Sequence, residues 1–250
     1  MSNTIKIAEL KATAKERSID RYGSLILANI IIFIIQLIIS GITTVGTSGS
    51  IIFFVINLII NLIVNILLGV LVSGKAYLYM NLVYSQPIAA SDIFFGLKQH
   101  PQKAVIIQSV FVLVDFFVSL PASVLLFMVQ RTPTQSGYIA MIIALLVGFV
   151  VNLYVSLVYS QSFFLLHDFP ERSAKELLRS SRKLMQGNIL KLLALYLSFI
   201  PLYLFGILTL FVPLLWISVY RYATLAVFYQ KLISNAGSNM PAKEEQNGLD

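Results

Sequence analysis

The sequence predicts an all-α polytopic membrane protein with six transmembrane helices. Of its 250 residues, 58% are hydrophobic and only 12% are charged, whereas soluble domains carry about 25% charged residues. Six apolar stretches, each near the ~20 residues that a helix needs to cross a bilayer, alternate with short polar segments. Such a chain cannot cover its apolar surface in water, so residues 1–250 are expected to form a single membrane domain.

Composition also excludes several classes of chemistry. Cysteine is absent, which rules out disulfides, thiol catalysis and cysteine-ligated metal. The net charge of +7 is interpreted as a signal of membrane orientation and not of nucleic-acid binding, because basic residues in so apolar a chain follow the positive-inside rule. The first apolar stretch is too long for the hydrophobic region of a cleavable signal peptide, and it is expected to remain as the first span.

Apolar runs and turn residues set the expected bounds of the spans. They cover about residues 22–41, 51–84, 104–129, 138–164, 189–210 and 213–232. Short polar helices are expected at 91–102 and 173–186, and the polar residues 234–250 are expected to be a disordered tail.

Lysine and arginine residues give the orientation. Nearly all of them precede span one, lie between spans two and three or four and five, or follow span six. The opposite loops are very short and contain only Arg131. Since the basic side of a membrane protein is cytoplasmic, both termini are expected in the cytoplasm, and no extracellular domain is expected.

A short motif recurs along the chain. Residues 82–86 and 157–161 both read Leu-Val-Tyr-Ser-Gln, and residues 228–230 read Phe-Tyr-Gln. A polar helical segment also precedes each odd-numbered span. We interpret this pattern as three two-helix repeats, about 5–86, 88–166 and 171–233, each introduced by an interfacial amphipathic helix on the cytoplasmic side. Chance similarity among apolar segments is the alternative.

The segment between spans four and five is predicted to be a basic amphipathic helix. Ser173 and Glu176 form a capping box, Leu177 and Met185 fall on one face, and Gly187 is a typical stop. Such a helix suits the surface of an anionic inner leaflet; a solvated connector is the alternative. The expected lipid-headgroup contacts are Lys175, Arg179, Arg182 and Lys183.

Amide side chains recur every four residues in span two, at Asn57, Asn61 and Asn65, and therefore share one helix face. Asn29 and Gln36 of span one lie at matching depths on the expected neighbouring helix. This polar seam is explained either by amide hydrogen bonds between the two spans or by a polar lining for a cavity or pathway.

Two charged residues lie deep within the apolar stretches. Asp115 of span three and Arg221 of span six both lie ~15 Å from the cytoplasmic side at ~1.5 Å per helical residue. Intramembrane charges are costly and tend to pair inside the protein, so the two are expected to form a buried ion pair, acting as a structural lock or as a substrate or proton site. The alternative is that the two residues do not meet. His100 and His167 are expected in solvated loops, and no catalytic, cofactor or metal-binding arrangement is expected.

The last third of the chain carries a specific pattern of residues. Residues 181–188 read Ser-Arg-Lys-Leu-Met-Gln-Gly-Asn, and Lys191, 197–200, 206–209, Leu215-Trp216, Tyr220 and 226–229 continue it. This pattern resembles a bacterial membrane family, domain of unknown function 975, and residues 9–15 resemble its opening. The resemblance implies the cytoplasmic membrane of a Gram-positive bacterium and implies no activity. Val219 stands where the family usually has proline, so no kink is expected in span six.

Two functions fit these observations. The first is a non-enzymatic membrane protein that binds lipid, expected to be anionic, or a membrane protein partner, as an accessory or envelope-homeostasis protein. The alternative is a transporter or exporter of a small or amphipathic substrate. The basic helices favour the first, and the repeat, the asparagines and the buried charges favour the second.

Overall fold

The computed structural model describes residues 5–43 and 50–238. The turn expected near 42–50 lies largely outside these residues, as does most of the expected tail. The described part is helical, with no strand among its elements. Its α-helices are α1 Ile7–Ser18, α2 Tyr22–Thr43, α3 Ile51–Leu67, α4 Gly69–Val83, α5 Phe95–Lys98, α6 Pro101–Arg131, α7 Gln135–Val158, α8 Ser162–Asp168, α9 Ala174–Met185, α10 Ile189–Leu197, α11 Ile200–Leu208 and α12 Leu214–Ser238.

Five helical stretches of the described chain are long and apolar enough to cross a membrane. They are Ile7–Ile39, Ile51–Val83, Pro101–Arg131, Gln135–Asp168 and Ile189–Leu208. The helix α12, which the sequence predicts as the sixth span, is not among the five; it carries Arg221, Gln230 and Lys231 along an otherwise apolar sequence. It is one continuous helix, and it extends to Ser238, so residues 234–238 are helical and not part of a disordered tail.

Three of the expected spans are interrupted helices. Span two breaks at Leu68 between α3 and α4, span four at residues 159–161 between α7 and α8, and span five at Ser198 and Phe199 between α10 and α11. The sequence suggested continuous helices because apolar periodicity continues through each break. At two of the breaks a side chain from another helix bonds to the backbone, and a one-dimensional pattern does not show such partners.

Two helices from the polar segments cover two of these breaks. The Ser181 hydroxyl of α9 donates to Val158 O at 3.0 Å and accepts from Gln161 N–H at 3.3 Å. The Lys11 ammonium of α1 donates to Ser198 O at 2.9 Å and lies 4.2 Å from the centre of the Phe199 ring. Polar backbone groups freed by a helix break need such partners, so α1 and α9 are attached to the breaks of other helices.

The buried core lies around α4, which packs against α12, α8, α5 and the 3-10 turn Ala90–Phe94. Fully buried large side chains there include Tyr79, Phe164, Phe228 and Tyr229. In contrast, α3 has no buried residue, and α7 exposes a run of large apolar side chains from Tyr138 to Tyr154. The molecule therefore combines a tightly packed end with a loosely packed apolar end.

The helix α9 corrects one prediction from the sequence. Its apolar side chains were expected to rest on the membrane surface, but Leu177 and Met185 are both 0% exposed. They pack within the protein, where α9 contacts α8, α6 and α7. The break between α7 and α8 offers α9 hydrogen bonds that a lipid surface does not, and this explains why the apolar face docks on protein.

The expected capping box starts α9. Ser173 Oγ accepts from Glu176 N–H at 3.3 Å, and the Glu176 carboxylate accepts from Ser173 N–H at 2.8 Å. These hydrogen bonds from Ser173 lower the pKa of Glu176 below its usual value. Their contribution is therefore complete at neutral pH and is lost as the pH falls through the lowered pKa.

We expect Ser173→Ala to lower the free energy of unfolding by about 1 kcal/mol, the usual cost of losing a helix cap. Equilibrium unfolding in detergent micelles, followed by far-UV circular dichroism, measures it. The variant keeps the backbone N–H of residue 173, so it should lose only part of the pH dependence that Glu176 contributes. An unchanged midpoint at neutral pH would show that the cap adds nothing to stability.

Candidate functional site

The most polar feature of the apolar end is a cavity of about 450 Å³ between α3, α6 and α7. The helix α6 forms its floor, with α3 and α7 as walls. Apolar side chains alternate with polar ones along its lining, and Asp115 is the charged residue among them. The other polar residues of the lining are Asn61, Asn65, Gln108, Ser119, Ser123, Asn152 and Ser156.

A second cavity, of about 340 Å³, continues the first between α3 and α6. The two share Leu58, Asn61 and Ser123 in their linings. The second adds Asn57 and Gln130 to the polar residues, and Phe54 and Phe127, whose ring centres are 4.8 Å apart, form part of its wall. Together the cavities form one channel-shaped depression, which we call the α3–α6 groove.

The polar residues of α6 lie along one face of the helix. Gln108, Asp115, Ser119, Ser123 and Gln130 are separated by seven, four, four and seven positions, the spacing of a single helix face. From Gln108 to Gln130 the groove extends about 33 Å at ~1.5 Å per residue. The hydrocarbon core of a bilayer is ~30 Å thick, so the groove is as long as a membrane is thick.

Asp115 is held within a small network in this groove. Its Oδ1 atom accepts from Asn152 Nδ2 at 2.7 Å and from Ser119 Oγ at 3.0 Å. Asn152 belongs to α7, so the network joins the floor of the groove to one wall. Asp115 nevertheless remains exposed, which leaves the carboxylate accessible from the groove.

Two asparagines of α3 bond to their own helix. Asn61 Nδ2 donates to Asn57 O, and Asn65 Nδ2 donates to Asn61 O, each at 2.8 Å. Both side chains are exposed in the groove. One N–H of each of these amides is bonded within α3, and the side-chain oxygens add acceptor character beside Asp115.

The two amides expected from span one have different surroundings. Asn29 Nδ2 donates to the Tyr79 hydroxyl of α4 at 2.9 Å, and Gln36 is exposed on α2. Neither residue lines the two cavities described above. Sequence position placed all five amides at similar depths, and helix packing decides which faces meet.

The structure does not bring together Asp115 and Arg221. Arg221 lies near Tyr196, 5.9 Å from the ring centre, and its buried Nε atom has no hydrogen-bond partner. Lys75 of α4 approaches the same region, 4.4 Å from the Tyr222 ring centre. The predicted ion pair is replaced by two separate sites, an acidic groove and a cluster of cations and tyrosines in the core.

No Lys, Arg or His lines either cavity of the described groove. At its far end Arg131 lies over the Phe127 ring, 4.4 Å from its centre, about 24 Å along α6 from Asp115 at ~1.5 Å per residue. A carboxylate among apolar helices tends to pair with a positive charge, and the described lining of the cavity around Asp115 supplies none. The site is suited to a ligand that brings hydrogen-bond donors or positive charge.

The four predicted headgroup contacts on α9, Lys175, Arg179, Arg182 and Lys183, are all exposed. Lys183 also lines a cavity of about 640 Å³ between α9 and α12, together with Arg172 and the apolar residues Phe169, Leu184 and Ile233. The basic surface thus borders an apolar recess at the tightly packed end, and this recess shares no described lining residue with the acidic groove.

His167 was assigned to a solvated loop, and this prediction is wrong; Asp168 lies beside it. Both belong to α8; His167 Nε2 lies 2.8 Å from Ser73 O, and Asp168 accepts a hydrogen bond from the Tyr229 hydroxyl. They attach α8 to α4 and α12. His100 is exposed, as expected. No group of three or more possible metal ligands occurs among the described residues.

The chain matches the model of a known protein family. The model of one family, described as a protein of unknown function, DUF975, matches residues 1–236. The chain belongs to the DUF975 family. Comparisons with curated proteins and with solved structures give no match. Membership of DUF975 and the five long apolar helices indicate a membrane protein.

Sequence reasoning on this DUF975 chain identified Asp115 and the α3 asparagines but missed Gln108, Ser119 and Asn152. A signal for α6 was present in the sequence, because its polar residues recur at spacings of four and seven within an apolar helix. No such signal marks Asn152, which is the polar residue that α7 contributes to the Asp115 network. Its role depends on how α6 and α7 pack.

Proposed function

We propose that this protein is a multi-pass protein of the bacterial cytoplasmic membrane that binds lipid and has no catalytic activity. The α3–α6 groove is the observation that carries the proposal. It offers polar atoms to a headgroup between apolar helix surfaces that suit acyl chains. The proposed role is that of an accessory or envelope-homeostasis protein, alone or with a membrane protein partner.

The proposed topology has six spans and cytoplasmic termini. The helix α12 is the sixth span, since its 25 residues reach about 37 Å at ~1.5 Å per residue. Support for repeats comes from the two Leu-Val-Tyr-Ser-Gln segments. Each ends its helix at the valine, and Tyr84 and Tyr159 follow with similar backbone angles, φ −88° and ψ 11° against φ −101° and ψ 10°.

Anionic lipid is the proposed partner of the basic end. Charges near an anionic leaflet are attracted by its surface potential, and the exposed cations of α9 are free of ion pairs in the described structure. In this arrangement the charged side of α9 contacts lipid headgroups, and its apolar side packs against the other helices of the protein. No binding of nucleic acid is proposed.

Lipid retention tests the proposal. Protein purified in mild detergent is analysed by native mass spectrometry for bound lipid. We expect Ser119→Leu/Ser123→Leu, which narrows the groove and removes two hydroxyl groups, to lower lipid occupancy by about tenfold, the effect of losing roughly 1.4 kcal/mol of binding. The matched control is Val124→Leu/Met128→Leu, which changes two exposed residues of α6 outside the groove.

Occupancy equal to wild type in the groove variant, with folding intact by size-exclusion chromatography and circular dichroism, would contradict binding in the groove. Wild-type protein that retains no lipid would contradict the proposal as a whole.

A further inference from the structure

The α3–α6 groove has a property that lipid binding alone does not require. A site that only holds one headgroup needs a pocket at one depth of the bilayer. Here polar side chains continue from Gln108 to Gln130, over about 33 Å at ~1.5 Å per residue. That length matches the ~30 Å hydrocarbon core.

We propose that the groove is a pathway along which the polar headgroup of a lipid crosses between leaflets while its acyl chains stay in the bilayer. This rests on the proposed lipid binding and extends it to movement. It narrows the transport alternative to one class of substrate, amphipathic lipids. Small hydrophilic solutes do not fit the proposal, because the groove is open to its side.

The exposure of the lining residues shows that one side of the groove is open to the surroundings of the protein. Asn61, Asn65 and Asp115 are each exposed although they lie in the middle of apolar helices. The same helix α3 has no buried residue, and its other faces expose Ile59 and Ile63 at 51% and 52%. A headgroup in the groove therefore has lipid, and not protein, beside it, which leaves room for its chains.

The energetic reason concerns desolvation. Carrying a polar headgroup through hydrocarbon is slow because its hydrogen bonds to water are lost without replacement. The groove replaces them in steps of one or two helical turns: Gln108, then Asp115, Ser119 and Ser123, then Gln130, with the α3 amide oxygens opposite. Each step passes the headgroup from one set of hydrogen-bonding atoms to the next.

Charge indicates which headgroups are preferred. Asp115 is the charged residue of the described lining, and Asn61 and Asn65 each direct one amide N–H into α3. The groove thus offers a carboxylate and amide oxygens as acceptors, with no positively charged side chain in its described lining. Headgroups with an ammonium group, which brings donors and positive charge, fit it better than headgroups whose net charge is negative.

The test is a leaflet-exchange assay. Full-length protein is reconstituted in vesicles that contain a trace of acyl-chain-labelled phosphatidylethanolamine or phosphatidylglycerol, and a membrane-impermeant reductant bleaches the outer leaflet. We expect wild type to speed exchange of the ethanolamine lipid by about a hundredfold over protein-free vesicles, because part of the desolvation cost is removed. The glycerol lipid should exchange more slowly.

Two groove variants are compared with a matched control. Asp115→Asn should slow exchange of the ethanolamine lipid by about tenfold, as expected for the loss of one hydrogen bond to a charged group, and should remove the preference between headgroups. Asn61→Leu/Asn65→Leu should slow exchange of both lipids. The control Ile59→Leu/Ile63→Leu makes the same number of changes to leucine on the exposed side of α3 and should exchange like wild type.

The α3 variant is expected to fold, because the Asn61 and Asn65 amides bond to carbonyls of α3. Asp115→Asn is expected to fold because an asparagine oxygen can still accept from Asn152 and Ser119. Thermal unfolding in detergent verifies this. If Asp115→Asn unfolds, the comparison of α3 variants alone decides the result.

Outcomes separate this inference from the proposed function. Wild-type protein could retain lipid in native mass spectra and yet not speed lipid exchange. That result would overturn the pathway and leave the proposed lipid binding in place. Collapse of a pH gradient across the vesicles without lipid exchange would also overturn it, because it would assign Asp115 to protons or small cations. Loss of both binding and exchange would overturn both proposals.

Discussion

Replacing Gly74 with alanine is expected to destabilise the protein severely. A Cβ atom at Gly74 would lie 1.8 Å from Ile93 O and 2.4 Å from Ile93 C. Both are backbone atoms of the 3-10 turn Ala90–Phe94, so no side-chain rotation relieves the clash. We expect Gly74→Ala to lower the free energy of unfolding by about 3 kcal/mol or more, the upper range for overpacking a tight interior.

The physical reason is a backbone contact at the centre of the core. Gly96 lies on the opposite side of the same contact, where a Cβ would be 2.2 Å from Val70 O. Only glycine at both positions lets α4 and the segment 90–98 approach this closely. Because α4 also holds α8 and α12, separating it from this segment should loosen the whole tightly packed end.

Gly23→Ala is the matched control. It lies in α2, is exposed, and has no atom within 4 Å of the position of an added Cβ. Alanine there should be neutral or stabilise the helix by up to about 1 kcal/mol. Unfolding midpoints in detergent compare the two variants. Equal midpoints for Gly74→Ala and wild type would contradict the close contact between α4 and the segment 90–98.

Ser181→Ala is expected to have the next largest effect. The hydroxyl of Ser181 serves two backbone groups at the break between α7 and α8, Val158 C=O and Gln161 N–H. Ser181 and Gln161 are both 0% exposed, so water does not replace the lost bonds. At ~1–3 kcal/mol for each of the two buried groups left without a partner, the loss of stability should be about 2 kcal/mol or more.

Ser180→Ala provides the control for this prediction. Ser180 precedes Ser181 in α9, but its hydroxyl accepts only from the exposed side chain of Arg172, at 3.2 Å. Its replacement should change stability by less than about 0.5 kcal/mol, as for most surface positions. A Ser181 variant that unfolds at the same denaturant concentration as the Ser180 variant would show that α9 does not depend on the helix break.

Much of the secondary structure was predictable from the sequence because it depends on local patterns. Apolar length, the capping box at Ser173 and the stop at Gly187, where φ is +74°, placed α9 to within a residue or two. The breaks at Ser198 and at 159–161 were not predictable in the same way. Each is stabilised by a side chain from a distant part of the chain, Lys11 in one case and Ser181 in the other.

Part of the candidate site was also predictable. Asp115 and the α3 asparagines could be identified from the sequence, because placing polar residues within apolar membrane helices costs free energy whatever their neighbours are. The partner predicted for Asp115 was Arg221, because the two residues lie at the same expected depth in the membrane. In the structure the hydrogen bonds to Asp115 Oδ1 come from Asn152 and Ser119 instead. The depth of a residue depends only on its position in its own helix, whereas the pairing of two residues depends on how their two helices are rotated relative to each other.

The sequence by itself determined that this is a helical chain with apolar segments of membrane-spanning length, a basic helix after α8, and membership of the DUF975 family. These features follow from composition and from the 3.6-residue period of the helix. Only the tertiary structure decided that the polar residues of α3 line a groove with α6, and that the apolar side of α9 is buried in protein. Helix rotation and side-chain packing between distant segments set these features, and neither is encoded in the local pattern of any one segment.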